Sequence, residues 1–178
     1  MYILGDIGNT ETKIWLVSKK NHIIKKINFS SKEVTNYKLS KIFKKYNFKF
    51  KDIEKILFCS VVPPTFNLIK KFLSKKTNNK CYEVKSLSLK SLIKIKVDYK
   101  QVGSDRITNA ISLMNNKNNF IILDFGTATT FDVLVQNTYY GGIIAPGVKL
   151  SLNSLSDKAT LIPRINLKKI TKVIGNNT

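Results

Sequence analysis

The chain has 178 residues, enough for one large or two small domains, and its 43% hydrophobic and 10% aromatic content suits a packed core rather than disorder. No apolar run approaches the roughly 20 residues that cross a bilayer, and no basic segment precedes the first apolar run, so neither a membrane span nor a signal peptide is expected. The formal net charge of +20 raises nucleic-acid binding, but only Arg106 and Arg164 are arginines; scattered lysines without guanidinium forks give salt-sensitive, non-specific attraction at most.

In chain order, the first signal is Tyr2-Ile3-Leu4-Gly5-Asp6-Ile7-Gly8-Asn9-Thr10-Glu11-Thr12-Lys13-Ile14-Trp15-Leu16-Val17. An apolar run ends in an acid, a small polar turn follows, and a second apolar run leaves, which predicts a β-hairpin. Such a turn lets backbone N–H groups approach phosphate oxygens, with the acid beside a hydrated cation and Lys13 as a point charge; it is equally ordinary turn chemistry. Asn21 to Phe29 reads as a third strand with His22, the single histidine, in the loop before it. Ser30 or Ser31 is expected to cap a helix from about Lys32 to Tyr46, with Val34, Tyr37, Ile42 and Phe43 packed inward. Lys55 to Val62 reads as a buried strand closed by Pro63-Pro64, with Cys59 in the core, then a helix over Phe66 to Leu73 and a short strand at Cys81 to Val84. Cys59 and Cys81 lack metal-ligand spacing and suit a reduced, cytoplasmic protein.

Ser86 to Tyr99 reads as a connector. Gly103-Ser104-Asp105-Arg106 then opens a helix to about Asn115 that carries Ile107, Ala110, Ile111 and Met114 inward. Next comes Phe120-Ile121-Ile122-Leu123-Asp124-Phe125-Gly126-Thr127-Ala128-Thr129-Thr130-Phe131-Asp132-Val133-Leu134-Val135, an echo of the first hairpin, with Asp124 where the first has Asp6. Two acid-tipped hairpins suggest a duplicated α/β fold with a nucleotide cleft between the halves, Asp6 facing Asp124. Gly141-Gly142-Ile143-Ile144-Ala145-Pro146-Gly147 frames a turn into a helix over Val148 to Ser156, whose start is either an anion site or a plain strand-to-helix turn.

Taken together, Asp6-Ile7-Gly8-Asn9-Thr10 with Lys13, Ser60-Val61-Val62-Pro63, Gly103-Ser104-Asp105-Arg106, Asp124-Phe125-Gly126-Thr127-Ala128-Thr129 and the Gly141 to Gly147 loop stand in the order found in type III pantothenate kinases, and the chain resembles that family along its whole length. The resemblance implies an α/β fold of two similar ribonuclease-H-like (actin-like ATPase) halves with mixed sheets, 1–100 and 101–178. Family chains run on past the position of Thr178, so the second half is expected to be incomplete, exposing apolar faces of the 104–115 and 148–156 helices.

The resemblance also implies chemistry: transfer of the ATP γ-phosphate to pantothenate, the first step toward coenzyme A. Asp6, Ile7, Gly8, Asn9, Thr10, Glu11, Thr12 and Lys13 resemble the first ATP phosphate segment, Asp6 holding Mg2+ through the phosphates, and Thr127 resembles an ATP contact in the second. Asp105 resembles the proton acceptor for the pantothenate hydroxyl, although the residues alone fit a helix N-terminal acid equally well. Tyr99, Gly103, Ser104, Arg106 and Thr178 resemble substrate contacts, with Arg106 on the substrate carboxylate, and Asp124 the ligand of a monovalent cation, K+ or NH4+. A homodimer with the active site at its interface is implied, with no specific nucleic acid or membrane partner. The alternative reading is a non-catalytic or regulatory remnant that binds nucleotide without turnover.

Overall fold

The computed structural model describes residues 1–159 together with Ile162 and Arg164. Strands β1 (Tyr2–Ile7), β2 (Glu11–Val17) and β3 (Ile23–Ser30) form an antiparallel meander. Helix α1 (Asn36–Lys45) leads to β4 (Lys55–Ser60), α2 (Pro63–Thr77) and β5 (Cys81–Glu83), which closes a mixed sheet of order β3-β2-β1-β4-β5. β4 lies parallel to both β1 and β5, as strands joined through a covering helix do. A second sheet, β6-β9-β8-β7, is built from β6 (Lys94–Ile95), β7 (Asn119–Phe125), β8 (Ala128–Val135) and β9 (Thr138–Pro146), with α3 (Ser104–Leu113) before β7 and α4 (Val148–Lys158) after β9. The β7-β8-β9 meander repeats the β1-β2-β3 one. β6 pairs with β9, so the second sheet takes a strand from the chain before residue 101.

Strand parity decides which side chains meet. Because successive residues point to opposite faces, Ile3, Ile7, Ile14, Ile27, Ile56 and Phe58 gather on the face covered by α1 and α2, where Leu39, Phe43, Phe66, Ile69, Phe72 and Leu73 complete a buried core. Gly5 is required there: a Cβ would lie 2.0 Å from the Phe58 ring. The same parity puts Leu4, Asp6, Trp15, Leu57 and Cys59 on the opposite face, toward the second half. A second core joins Cys59 and Val84 to Ile107 and Ala110 of α3 and to Ile122, Leu134 and Tyr139 of the second sheet.

Two helices start elsewhere than their sequence signals suggest. Ser31 is not a cap: its hydroxyl is buried 2.8 Å from that of Thr12, and Thr35 caps α1 instead, accepting from Lys38 N at 3.1 Å. Pro63 and Pro64, expected to close β4 into a turn, form the first helical positions of α2, where a missing N–H costs nothing. Exposure of apolar surface also falls differently. The α3 face is covered, whereas α4 buries no residue and the outer face of the second sheet presents Ile121, Phe125 and Ile143 at 69%, 65% and 67% exposure, with Leu123, Phe131 and Val133 between them.

Ile69→Ala, at a fully buried α2 position, should lower stability by about 2–5 kcal/mol. Urea unfolding should show a lower midpoint with unchanged slope; an unchanged midpoint would mean that α2 does not close this core.

Candidate active site

The hairpin turns meet. Gly8 N bonds Glu11 O at 3.0 Å to close the first, Gly126 N bonds Ala128 O at 2.9 Å to close the second, and the hydroxyls of Thr10 and Thr127 lie 2.9 Å apart between them. Gly147, the cap of α4, packs its backbone on the second turn. Its N–H donates to Thr127 O at 3.0 Å, and a Cβ on it would lie 2.3 Å from Gly126 O. The glycine-framed loop therefore sets the start of α4 against the turn that follows Asp124.

Beside these turns lies a trough of about 390 Å³ whose polar wall is Asp6, Asp105, Thr108, Asn109 and Asp124, with Leu4, Trp15 and Leu57 as its apolar floor. Burial holds the Asp6 carboxyl above its ordinary pKa; Lys13 works against this, and the charges of Asp105 and Asp124 reinforce it. The trough thus concentrates negative charge that the protein alone does not neutralise. Lys13 itself stands 3.8 Å from Glu11, a half-exposed pair of little stabilising value. Asn109 donates to Asp124 Oδ2 at 2.9 Å and orients that carboxylate.

Asp105 sits in the first turn of α3, where the helix dipole favours an anion. Its Oδ1 accepts from Arg106 N at 2.8 Å, and a Cβ on Gly103 would lie 2.3 Å from that oxygen, so the glycine leaves the carboxylate its room. On one side of it, the Ser104 hydroxyl donates to Glu83 Oε1, while Glu83 Oε2 accepts from Lys85 N at 2.8 Å. The Cys59 thiol bonds Ser104 and Thr108, and burial pushes its pKa up to about 12, which makes it a packing group and not a nucleophile.

Arg106 is placed differently from the expectation of a carboxylate clamp on a substrate. Its side chain is 11% exposed and turns to Asp132, which is 0% exposed: Nε donates to Oδ1 at 2.8 Å and Nη2 approaches the same oxygen to 2.6 Å. Burial works against the guanidinium charge, but Asp132 outweighs it and holds its pKa above the ordinary value. Tyr139 OH donates to Oδ1 as well, at 2.5 Å. Tyr99 also lies outside the trough: its hydroxyl donates to Lys85 O at 3.0 Å, its ring stacks under the Lys85 ammonium at 4.9 Å, and it lines a separate cavity of about 320 Å³. Thr178 lies outside the described residues.

The structure therefore brings together Asp6, Asp105 and Asp124, and separately Thr10 with Thr127. Glu83, Asn109 and Asp132 are functional-looking positions that motif reading passes over. Asp132 alone carried a signal, an acid at a buried parity position of an apolar strand, on the same face as Leu134.

Comparisons with known proteins identify the family. Residues 2–178 match the sequence profile of the family described as Type III pantothenate kinase. A type III pantothenate kinase of Pelagibacter ubique (strain HTCC1062) is 62% identical over 178 residues, spanning 100% of this chain and 72% of the relative. Among solved structures, a Campylobacter jejuni protein described as a Baf family transcriptional activator superposes with a TM-score of 0.51 at 19% identity, over 96% of this chain and 68% of that one. A Sinorhizobium meliloti protein described as a 2-dehydro-3-deoxygalactonokinase gives 0.50 at 10%, over 90% and 58%. At such identities the two structures speak for the fold alone.

The burial of Asp6, reinforced by its acidic neighbours, has a sign that can be checked. An acid whose folded pKa is raised loses the fold stability as pH climbs through that value, while at pH well below about 4 the loss is absent. Asp6→Asn should therefore raise the thermal midpoint at pH 7 by roughly 2–4 °C, the shift for about 1 kcal/mol in a domain of this size, and the gain should vanish in acid. Calorimetry across pH checks this; a lower midpoint at pH 7 would show that Asp6 is compensated.

Proposed function

The chain belongs to the type III pantothenate kinase family, which makes it an ATP-dependent kinase acting on pantothenate toward coenzyme A, and from that premise we propose that the trough between the two hairpins carries the phosphoryl transfer. The observation that carries the reading is the contact of the two turns through Thr10 and Thr127, with Asp105 lining the same trough as Asp6 and Asp124. Backbone N–H groups of the Gly8 and Gly126 turns, together with Asn9, Thr10, Glu11, Lys13 and Thr127, form the ATP phosphate cradle between halves 1–100 and 101–178, apart from β6, which joins the second sheet. Ile7 and Thr12, both buried on the core face, support that segment from behind. Asp105 accepts the proton of the pantothenate hydroxyl as the γ-phosphorus–oxygen bond forms on it and the bond to ADP breaks. In a loose transition state little basicity is needed, and positioning supplies most of the acceleration. Gly103 and Ser104 shape the acceptor side, and Tyr99, Arg106 and Thr178 belong to the same proposal, Arg106 only through whatever part of its guanidinium Asp132 leaves open.

The donors suit hard cations: Asp6 and Asp124 offer carboxylate oxygens to the trough, which fits Mg2+ shared with phosphate oxygens at Asp6 and a monovalent cation, K+ or NH4+, at Asp124. When bound, these ions supply neutralisation of the phosphate charge. The apolar outer face of the second sheet supports a homodimer, with the active site at the interface as the family resemblance implies. A cytoplasmic location is supported by the unpaired, buried thiols of Cys59 and Cys81. No described helix is long and apolar enough to cross a membrane.

Asp105→Asn should lower kcat for phosphopantothenate formation by about 10²–10⁴-fold while the thermal midpoint stays in place; near-normal turnover would remove Asp105 from this role. Replacing K+ by Na+ should depress activity in the parent chain and change little in Asp124→Asn. An equal response of both proteins to the swap would remove the cation from Asp124.

A further inference from the structure

We propose that Glu83 and Asp132 are positioning residues for Asp105, one from each half of the molecule, and that Ser104 and Arg106 are the arms through which they act. The inference rests on the reading of Asp105 as the proton acceptor. The two neighbours of Asp105 in sequence are tied in opposite directions. Ser104 donates to Glu83, the last residue of β5 in the first sheet. Arg106 pairs with Asp132, in β8 of the second sheet.

The first turn of α3 is thus a bracket tied to both sheets, with the proposed base at its centre and both hairpin acids lining the same trough. Each anchor is built rather than incidental. Glu83 uses both carboxylate oxygens, one for Ser104 and one for Lys85 N. Asp132 has no exposed surface and concentrates Arg106 Nε, Arg106 Nη2 and Tyr139 OH on Oδ1, while its Oδ2 is buried without a hydrogen-bond partner. A buried, half-satisfied carboxylate is costly to keep, since an apolar pair of similar volume packs as well. Its retention here follows if the direction it imposes on Arg106, and so on the adjacent Asp105 peptide, is what the site requires. Asp105 then keeps a fixed relation to the Asp6 turn and to the Asp124 turn at once.

The test is steady-state kinetics on the full chain with ATP, pantothenate, Mg2+ and K+, for Glu83→Gln, Asp132→Asn, the double variant and Asp105→Asn, with active sites counted by ATP-analogue titration. Each single anchor variant should lose about 100-fold in kcat, the loss that follows a misplacement of roughly 1 Å, with KM for ATP within about 2-fold. The double variant should be no slower than the worse single one, because one lost anchor already frees the bracket. Ser104→Ala and Tyr139→Phe, which delete one hydroxyl each, serve where an acid variant does not fold, and should show the same kcat-selective loss at smaller size. Wild-type kcat per titrated site in the anchor variants, with only a lowered thermal midpoint, would overturn the inference while leaving Asp105 as the base if Asp105→Asn is inactive. A fully active Asp105→Asn would overturn the base reading itself, and the inference with it.

Discussion

Acids brought together without their counter-charge are the constraint around which this molecule is arranged. Asp6, Asp105 and Asp124 share one trough, where burial, reinforced by the other two charges and opposed by Lys13, raises the Asp6 pKa. Such crowding opposes folding, so the scaffold must hold it by force elsewhere: the isoleucine and phenylalanine core beneath α1 and α2 on one side, and the packing of α3 against the second sheet on the other. Sheet parity makes the two tasks compatible. Within β1, Ile3 and Ile7 turn to the core and Leu4 and Asp6 to the trough, so one short strand supplies both the anchoring surface and the charge it must restrain. On the proposed reading, a ligand relieves this strain, since cations bound with the nucleotide would supply positive charge beside the acids.

Much of this was legible in the residues. Hairpins are local objects, with an apolar run, a small polar turn and a second apolar run, and the repetition of that pattern 118 residues apart (from Asp6 to Asp124) announced both the duplicated architecture and the place where its halves meet. Helix starts were less legible because Ser31 and Thr35 carry the same chemistry. A buried partner 19 residues away, Thr12, decides which of them is free to cap. Pro63-Pro64 is likewise ambiguous by itself, a strand stop and a helix start at once.

The destinations of Ser104, Arg106 and Tyr99 were not legible. A sequence shows that Arg106 follows an acid in a short motif; it does not show that Asp132, buried on a strand 26 residues later, will take its guanidinium. Long-range polar pairs are set by tertiary packing, and a single chain carries no trace of them beyond an acid standing where an apolar residue is expected. That trace was present at Asp132, on the same strand face as Leu134, and it marks a fully buried carboxylate beside the second core.

The excess of lysine fits the same logic at longer range. With a formal net charge of +20, the chain surrounds an acidic trough with a cationic surface. A diffuse positive field raises the local concentration of small polyanions, and both proposed substrates are anionic. The division of labour is then spatial. The surface field attracts without selecting, while the trough repels any anion that arrives without cations to bridge it. On the proposed reading, attraction outside and repulsion inside together would favour a nucleotide carrying its metal over the bare polyphosphate, with no dedicated recognition residue needed.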